Sequence, residues 1–142
     1  MNVLDVNVVV ALYHRDHPHH AAAGAWWEES RAAGEPFTVP DIVWVAFARV
    51  ITNRAVFSIP ATFEQAWTFV TAVMDQDTYA RYAADERVLA VFARLSAGSR
   101  ATGNLITDAY VAAMATSLGA SVVTFDRDFR KFDDVSVIEL AG

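Results

Sequence analysis

Residues 104–126 read NLITDAYVAAMATSLGASVVTFD, and the punctuation inside this stretch decides the fold class. Gly103 and Asn104 open a helix over Leu105–Leu118, and Gly119 stands where a helix ends in a left-handed residue. Ser121–Phe125 is then β-branched and apolar, the composition of a buried strand. Asp126 follows at once. In an open α/β sheet, ligands collect just beyond the carboxyl ends of such strands.

The preceding chain repeats the alternation. Asn2–Val6 (NVLDV) reads as a short strand carrying Asp5 at its end, with Asn7 as the N-cap of a helix over Val8–Tyr13 and, as an added role, a donor near any metal held by the acids. Pro18, within His17–His20, marks a turn into an Ala-rich helix, Ala21–Ala33, stopped by Gly34. Phe37–Val39 is a strand ending at Pro40, and Asp41 caps a helix through Asn53. That helix is apolar on nearly every face and is expected to be buried. Thr62 caps Phe63–Met74, which places Trp67, Val70 and Met74 on one side. Thr78–Tyr82 reads as a short strand. Asp85 caps Glu86–Ala97, where Val88, Leu89, Phe92 and Leu95 recur at helical spacing, and Val135–Ile138 is a last strand. Strands alternating with helices imply an α/β protein whose mainly parallel sheet is covered on both faces. No linker or low-complexity segment divides residues 1–142, so a single domain is expected.

Composition narrows the function classes. The 142 residues are 54% hydrophobic and 20% charged, which excludes global disorder. The absence of cysteine excludes disulfides, thiolate metal sites and cysteine nucleophiles. The first residues show no basic-then-apolar leader and nowhere do 18 apolar residues run together, so a soluble, cytoplasmic protein without a membrane segment is expected. A net charge of −6 is the wrong sign for gripping nucleic acid through a broad basic surface. Any such role must use local arginines and metal ions. Lys131 is the single lysine among eleven cations, a bias that carries no functional weight by itself.

Three aspartates stand where an α/β sheet presents its functional edge. Asp5 ends the first strand, Asp126 follows the buried strand, and Asp108 lies early in an otherwise apolar helix, where a buried carboxylate needs a cation or donors. If they converge, they repel one another unless a divalent cation sits between them. Oxygen-only ligands favour Mg²⁺ or Mn²⁺, and such a cluster suits two-metal phosphodiester hydrolysis. The simpler reading of each acid alone is a cap or helix-dipole partner. Asp128 reads as a turn or capping residue, with a supporting role beside the other acids as the alternative; Thr124 reads as strand filler.

Four stretches occur in an order that matches a known family. LDVN ending at Asn7, FARVITN at Phe47–Asn53, NLITDAYVAAMA at Asn104–Ala115 and TFDRDFRKF at Thr124–Phe132 resemble the PIN-domain ribonucleases, specifically the toxins of VapBC toxin–antitoxin pairs. The mycobacterial-type branch also carries a His-x-x-His stretch after the first helix, here His17–His20. The resemblance implies a three-layer α/β/α sandwich and a Mg²⁺- or Mn²⁺-dependent endoribonuclease that cuts RNA, tRNA or rRNA, to inhibit translation. It also implies a homodimer and a VapB-type antitoxin that delivers an Arg or Lys into the acidic pocket. The metal-binding and catalytic acids map to Asp5, Asp108 and Asp126. One position departs: the Glu that many PIN domains place before the Phe-x-Arg segment is Ala46 here, leaving a three-acid core. Asp41 falls on a different part of that helix and does not replace it.

On this reading Arg49, Arg54, Arg127 and Arg130, with Lys131, are candidates for RNA phosphates, although surface solvation is the default for each. Arg49 is the best of the set, since a cation in a buried helix needs an acidic or phosphate partner. His14, His17, His19 and His20 could suggest a metal site. Packing or helix-start polarity is the preferred reading for His17 and His20, with His14 and His19 exposed. Trp26, Trp27, Trp44 and Trp67 read as core or interface residues rather than base-stacking platforms. Two alternatives remain open: a catalytically weak or inactive PIN-like binding protein, made credible by Ala46, and a phosphoacceptor or phosphatase-like α/β domain. Against the latter, Asp5-Val6-Asn7 lacks an Asp-x-Asp pair and no lysine follows a late strand as a receiver domain would need.

Overall fold

Short buried strands separated by capped helices produce a parallel sheet. A computed structural model describes all residues 1–142. The elements run β1 (Asn2–Leu4), α1 (Val6–Tyr13), α2 (His20–Ala32), β2 (Phe37–Thr38), α3 (Asp41–Ile51), α4 (Phe63–Met74), α5 (Arg87–Ser99), α6 (Asn104–Leu118), β3 (Ser121–Thr124) and β4 (Val137–Glu139). A 3-10 turn, Arg127–Lys131, links the last two strands. The sheet is parallel throughout, in the order β2-β1-β3-β4, with Val3 opposite Thr38 on one side and Val122 on the other. Helices flank it as an α/β/α sandwich. In one group α1 packs on α2 and α3 and α3 on α4; in the other α5 packs on α6, which lies against β1 and β3.

The core follows from the sequence pattern. Val3, Leu4, Val122 and Val123 fill the central strands, while Ala109, Ala112, Ala113 and Ala115 let α6 approach the sheet closely. Gly119 closes α6 at φ 63°, where a side chain would be strained. Thr62 starts α4 with a full capping box: its hydroxyl accepts from the Gln65 N–H, and the Gln65 side chain accepts from the Thr62 N–H.

Several local expectations change. Asp5, not Asn7, caps α1, which begins immediately after β1. Pro40 holds the cap position of α3, and Asp41 is its first helical residue. The strand expected at Thr78–Tyr82 reduces to a single bridge between Tyr79 and Phe37, because β2 is only two residues long and offers little edge to pair with. The α3 helix buries Val43, Trp44, Phe47 and Ile51, but Val45 on its opposite side is 70% exposed. Trp67 and Leu89 also stand exposed although they share helical spacing with core residues.

The connections leaving β1 and entering β3 run to opposite sides of β1. That reversal opens a crevice at the carboxyl ends of β1 and β3, where an open α/β sheet holds its ligands. No helix of the protein is long and apolar enough to cross a membrane.

Candidate active site

The crevice is built from the first residues past two neighbouring strands. Asp5 follows β1 and is 4% exposed. Its Oδ1 accepts the Val6 N–H at 2.8 Å, and its Oδ2 accepts the Thr124 hydroxyl at 2.8 Å. Burial pushes the Asp5 carboxyl above its ordinary value; the two hydrogen bonds act against this, and the Asp126 charge adds to it.

Thr124, the fully buried last residue of β3, joins the parts of the site. Besides donating to Asp5, its Oγ1 accepts the Asp126 N–H at 2.9 Å and the Asn7 Nδ2–H at 3.2 Å. Asn7 in turn accepts the Phe125 N–H at 3.2 Å. One hydroxyl and one amide thus fix the chain past β3 against the start of α1. Thr124 is far more than strand filler, and Asn7, read as a cap, lies inside the helix and serves this network.

Asp126 accepts the Asp128 N–H at 2.8 Å and so starts the 3-10 turn. Asp108, half-buried in the second turn of α6, faces the same space. Its pKa is pushed up to about 7, first by burial and then by the charges of Asp5, Asp126 and Asp128. Carboxylate oxygens of Asp108, Asp126 and Asp128 lie within 4.8 Å of one another. Asp5 is buried beside them, its oxygens already engaged. An all-oxygen donor set with this much mutual repulsion fits a hard divalent cation.

The structure therefore brings the three sequence-predicted acids into one crevice and adds Asp128 to the tightest part of it. The signal for Asp128 was the Asp-x-Asp spacing in TFDRDF: a tight turn returns both side chains to one side. Helix α3 contributes no carboxylate to the cluster, and its one acid, Asp41, lines an apolar groove instead.

The cations are arranged differently from expectation. Arg49 is exposed, because it occupies the open side of a helix that is not buried all round, and it makes no ion pair; Arg54 is exposed as well. Arg127 and Arg130 reach Glu139 at 3.8 and 2.8 Å, Arg130 with two hydrogen bonds. Lys131 pairs with Asp128 at 3.1 Å.

The histidines form a packed loop between α1 and α2. His20 Nδ1 donates to the Ala11 carbonyl at 2.7 Å, and His17 Nδ1 accepts the His19 N–H at 3.0 Å. His14 stacks on Phe57 and His19 on Phe125, so both are partly buried rather than exposed. None belongs to the acid cluster. Trp44 is core, Trp26 and Trp27 are half-buried, and Trp67 stacks on Phe63 at the surface.

A family model described as PIN domain matches residues 3–135. The chain belongs to the PIN domain family. It is 40% identical over 135 residues to Ribonuclease VapC31 of Mycobacterium tuberculosis and 39% identical over 135 residues to Ribonuclease VapC25 of the same organism, covering 95% of each chain in both cases. Among solved structures, the PIN fold seen here matches the VapBC2 structure from Rickettsia felis bound to a DNA fragment from its promoter. The TM-score is 0.76 at 14% identity, over 99% of this chain and 98% of that one. Membership in the PIN family sets aside the phosphoacceptor and phosphatase-like reading.

Proposed function

We propose that this PIN domain is a Mg²⁺- or Mn²⁺-dependent endoribonuclease and the toxin of a VapBC-type toxin–antitoxin pair. The observation that carries the reading is the carboxylate cluster at the sheet's switch point, where Asp108 is raised to about 7 by burial and by three neighbouring acids. Such repulsion costs stability unless a cation relieves it. Asp108, Asp126 and Asp128 would hold the ion with Asp5 beside them, and the named ribonuclease relatives support hydrolysis of RNA. A divalent cation bound there supplies Lewis acidity and charge neutralisation for phosphodiester hydrolysis.

The chain's own residues prepare the site. Thr124 and the Val6 N–H fix the orientation of the Asp5 carboxylate. The Asp126 side chain holds the turn that presents Asp128. Without a cation, burial and the neighbouring charges keep the Asp108 carboxyl partly protonated near neutral pH. The one hydroxyl at the crevice, that of Thr124, is buried and committed to Asp5, so on this reading water is the attacking species. Asp128 brings a further acid to the crevice although Ala46 offers none, which favours an active enzyme over an inactive binder.

Partners follow from the remaining surface. An acidic crevice suits an Arg or Lys offered by an antitoxin, and solved structures with this fold include VapBC2 of Rickettsia felis and VapBC-1 of nontypeable Haemophilus influenzae. A groove of about 860 Å³ between α3 and α4 is lined by Trp44, Val45, Phe63, Trp67 and Tyr82. Its exposed apolar rim suits a homodimer contact. Residues 1–142 serve as one domain in this scheme, working in the cytoplasm where RNA is translated.

The test is incubation of antitoxin-free protein with total bacterial RNA in Mg²⁺, Mn²⁺ or EDTA, followed by mapping of new 5′ ends, with Asp108→Asn as control. Discrete metal-dependent cuts absent from the variant are expected. Cleavage retained by Asp108→Asn, or none with any metal, overturns the reading.

A further inference from the structure

The one lysine of the chain is also the one cation directed at the acid cluster. Lys131 Nζ stands 3.1 Å from Asp128 Oδ1, and no other ion pair in the protein involves Asp5, Asp108, Asp126 or Asp128. Arg127 and Arg130 flank the same motif, yet both point to Glu139. The cause is local geometry. On a 3-10 turn, residues three apart eclipse one another, so the Arg127–Lys131 turn sets Lys131 directly over Asp128. The ammonium is one carboxylate removed from Asp108 and Asp126, whose oxygens share a patch 4.8 Å across with Asp128.

Both partners are half-exposed, and an ion pair of that kind is weakly held and readily exchanged. In the metal-free protein Lys131 offsets part of the cluster's negative charge. With the carboxylates neutralised by a bound divalent cation, Asp128 would compete less strongly for the ammonium. A compact charge with three donors on a flexible stem would then have a better acceptor in an RNA phosphate at the crevice. Arg130 is held on Glu139 by two hydrogen bonds, Arg127 pairs with Glu139 rather than with a cluster acid, and Arg49 and Arg54 make no ion pair to any of them.

We infer that Lys131 is the phosphate-contacting residue of this site, its ammonium exchanging Asp128 for a non-bridging phosphate oxygen of bound RNA. The inference rests on the nuclease reading and adds the substrate contact to it. Lys131 makes and breaks no covalent bond; it binds and orients.

Full-length Lys131→Met and Lys131→Arg decide the matter in three measurements: steady-state cleavage, Mn²⁺ affinity by calorimetry without RNA, and binding of a single-stranded RNA oligonucleotide in Ca²⁺ across a salt series. Lys131→Met raises KM roughly tenfold, as expected for a lost charge-assisted phosphate contact, while Lys131→Arg keeps most of the activity. The slope of log affinity against log salt falls by about 0.7 in Lys131→Met, the value for one phosphate contact on a single strand. Mn²⁺ affinity stays level or tightens, because a competing cation is gone. An unchanged KM and salt slope would reduce Lys131 to a counter-ion of Asp128. Weakened Mn²⁺ binding in Lys131→Met would also overturn the inference, since the residue would then be supporting the metal ligands. Should the wild type cleave nothing, the nuclease reading fails, and the oligonucleotide arm, which needs no turnover, still decides Lys131.

Discussion

Replacing Asp108 by Asn should stabilise the metal-free protein, and by an amount that grows with pH. The Asp108 carboxyl is raised from 3.8 to about 7 in the folded chain. The native state therefore holds this proton over a pH range in which the unfolded chain has released it, and folding stability falls as pH climbs from near 4 to near 7. Above that range the full penalty is present. At about 1.4 kcal/mol per pH unit the gap between 3.8 and about 7 corresponds to about 4 kcal/mol if fully transmitted. Asp108 is only half-buried, so solvent screening brings the usable figure to about 2 kcal/mol. Asn keeps the shape and lacks the charge. In EDTA near pH 8, Asp108→Asn should melt about 4–8 °C above wild type, with the advantage shrinking to a fraction of that near pH 5. Saturating Mn²⁺ should raise the wild-type melting temperature and leave the variant nearly unmoved. Scanning calorimetry across this pH range checks all three statements. A variant that is less stable near pH 8, or whose advantage does not change with pH, would refute the claim that Asp108 is held against the repulsion of its neighbours.

Three further outcomes follow from the geometry. Thr124→Val leaves an Asp5 oxygen and the Asp126 N–H without their partner; it should cost about 2–4 kcal/mol in urea melts and weaken Mn²⁺ binding, whereas Thr124→Ser restores both. Asp128→Asn should lower Mn²⁺ affinity at least about tenfold by calorimetry, and an unchanged affinity would return Asp128 to the part of a turn residue. If the proposed homodimer forms through the α3 groove, Val45→Asp, at a 70% exposed position there, should shift sedimentation toward monomer while changing stability by less than about 1 kcal/mol; an unaltered sedimentation profile would overturn the proposed homodimer contact.

What could be read from the sequence was local and periodic. Gly119 and the β-branched run after it announce α6 and β3 because a left-handed stop and a strand composition are properties of a few adjacent residues. The strand-end positions of Asp5 and Asp126 follow from the same punctuation. Asp128 reads as a turn residue and is one, and its place beside the other acids was not legible because its side chain joins them only through the 3-10 turn that the Asp126 carboxylate itself nucleates. Thr124 was undervalued because a threonine in a β-branched run satisfies strand composition whatever its hydroxyl does. The role of its hydroxyl depends on Asp5, 119 residues earlier in the chain. Asn7 is a good cap by type, yet β1 ends two residues sooner than its apolar run suggests, and Asp5 takes the cap.

The misreading of α3 has a different origin and a functional meaning. A helix apolar on nearly every face is a buried helix only if the same chain supplies a cover for each face. Here α1 and α4 cover the face bearing Val43, Phe47 and Ile51, while the face bearing Ile42 and Val45 meets solvent, Val45 beside Phe63 and Trp67. The cost of such exposure scales with apolar area, so a second subunit or an antitoxin segment over this groove removes it. The acid crevice presents the same logic in electrostatic form, with four carboxylates whose repulsion a bound cation would relieve. Both features are unfavourable in the isolated chain, and each becomes favourable only with what it binds, which is why the test of either is a change in stability upon binding as much as a change in activity.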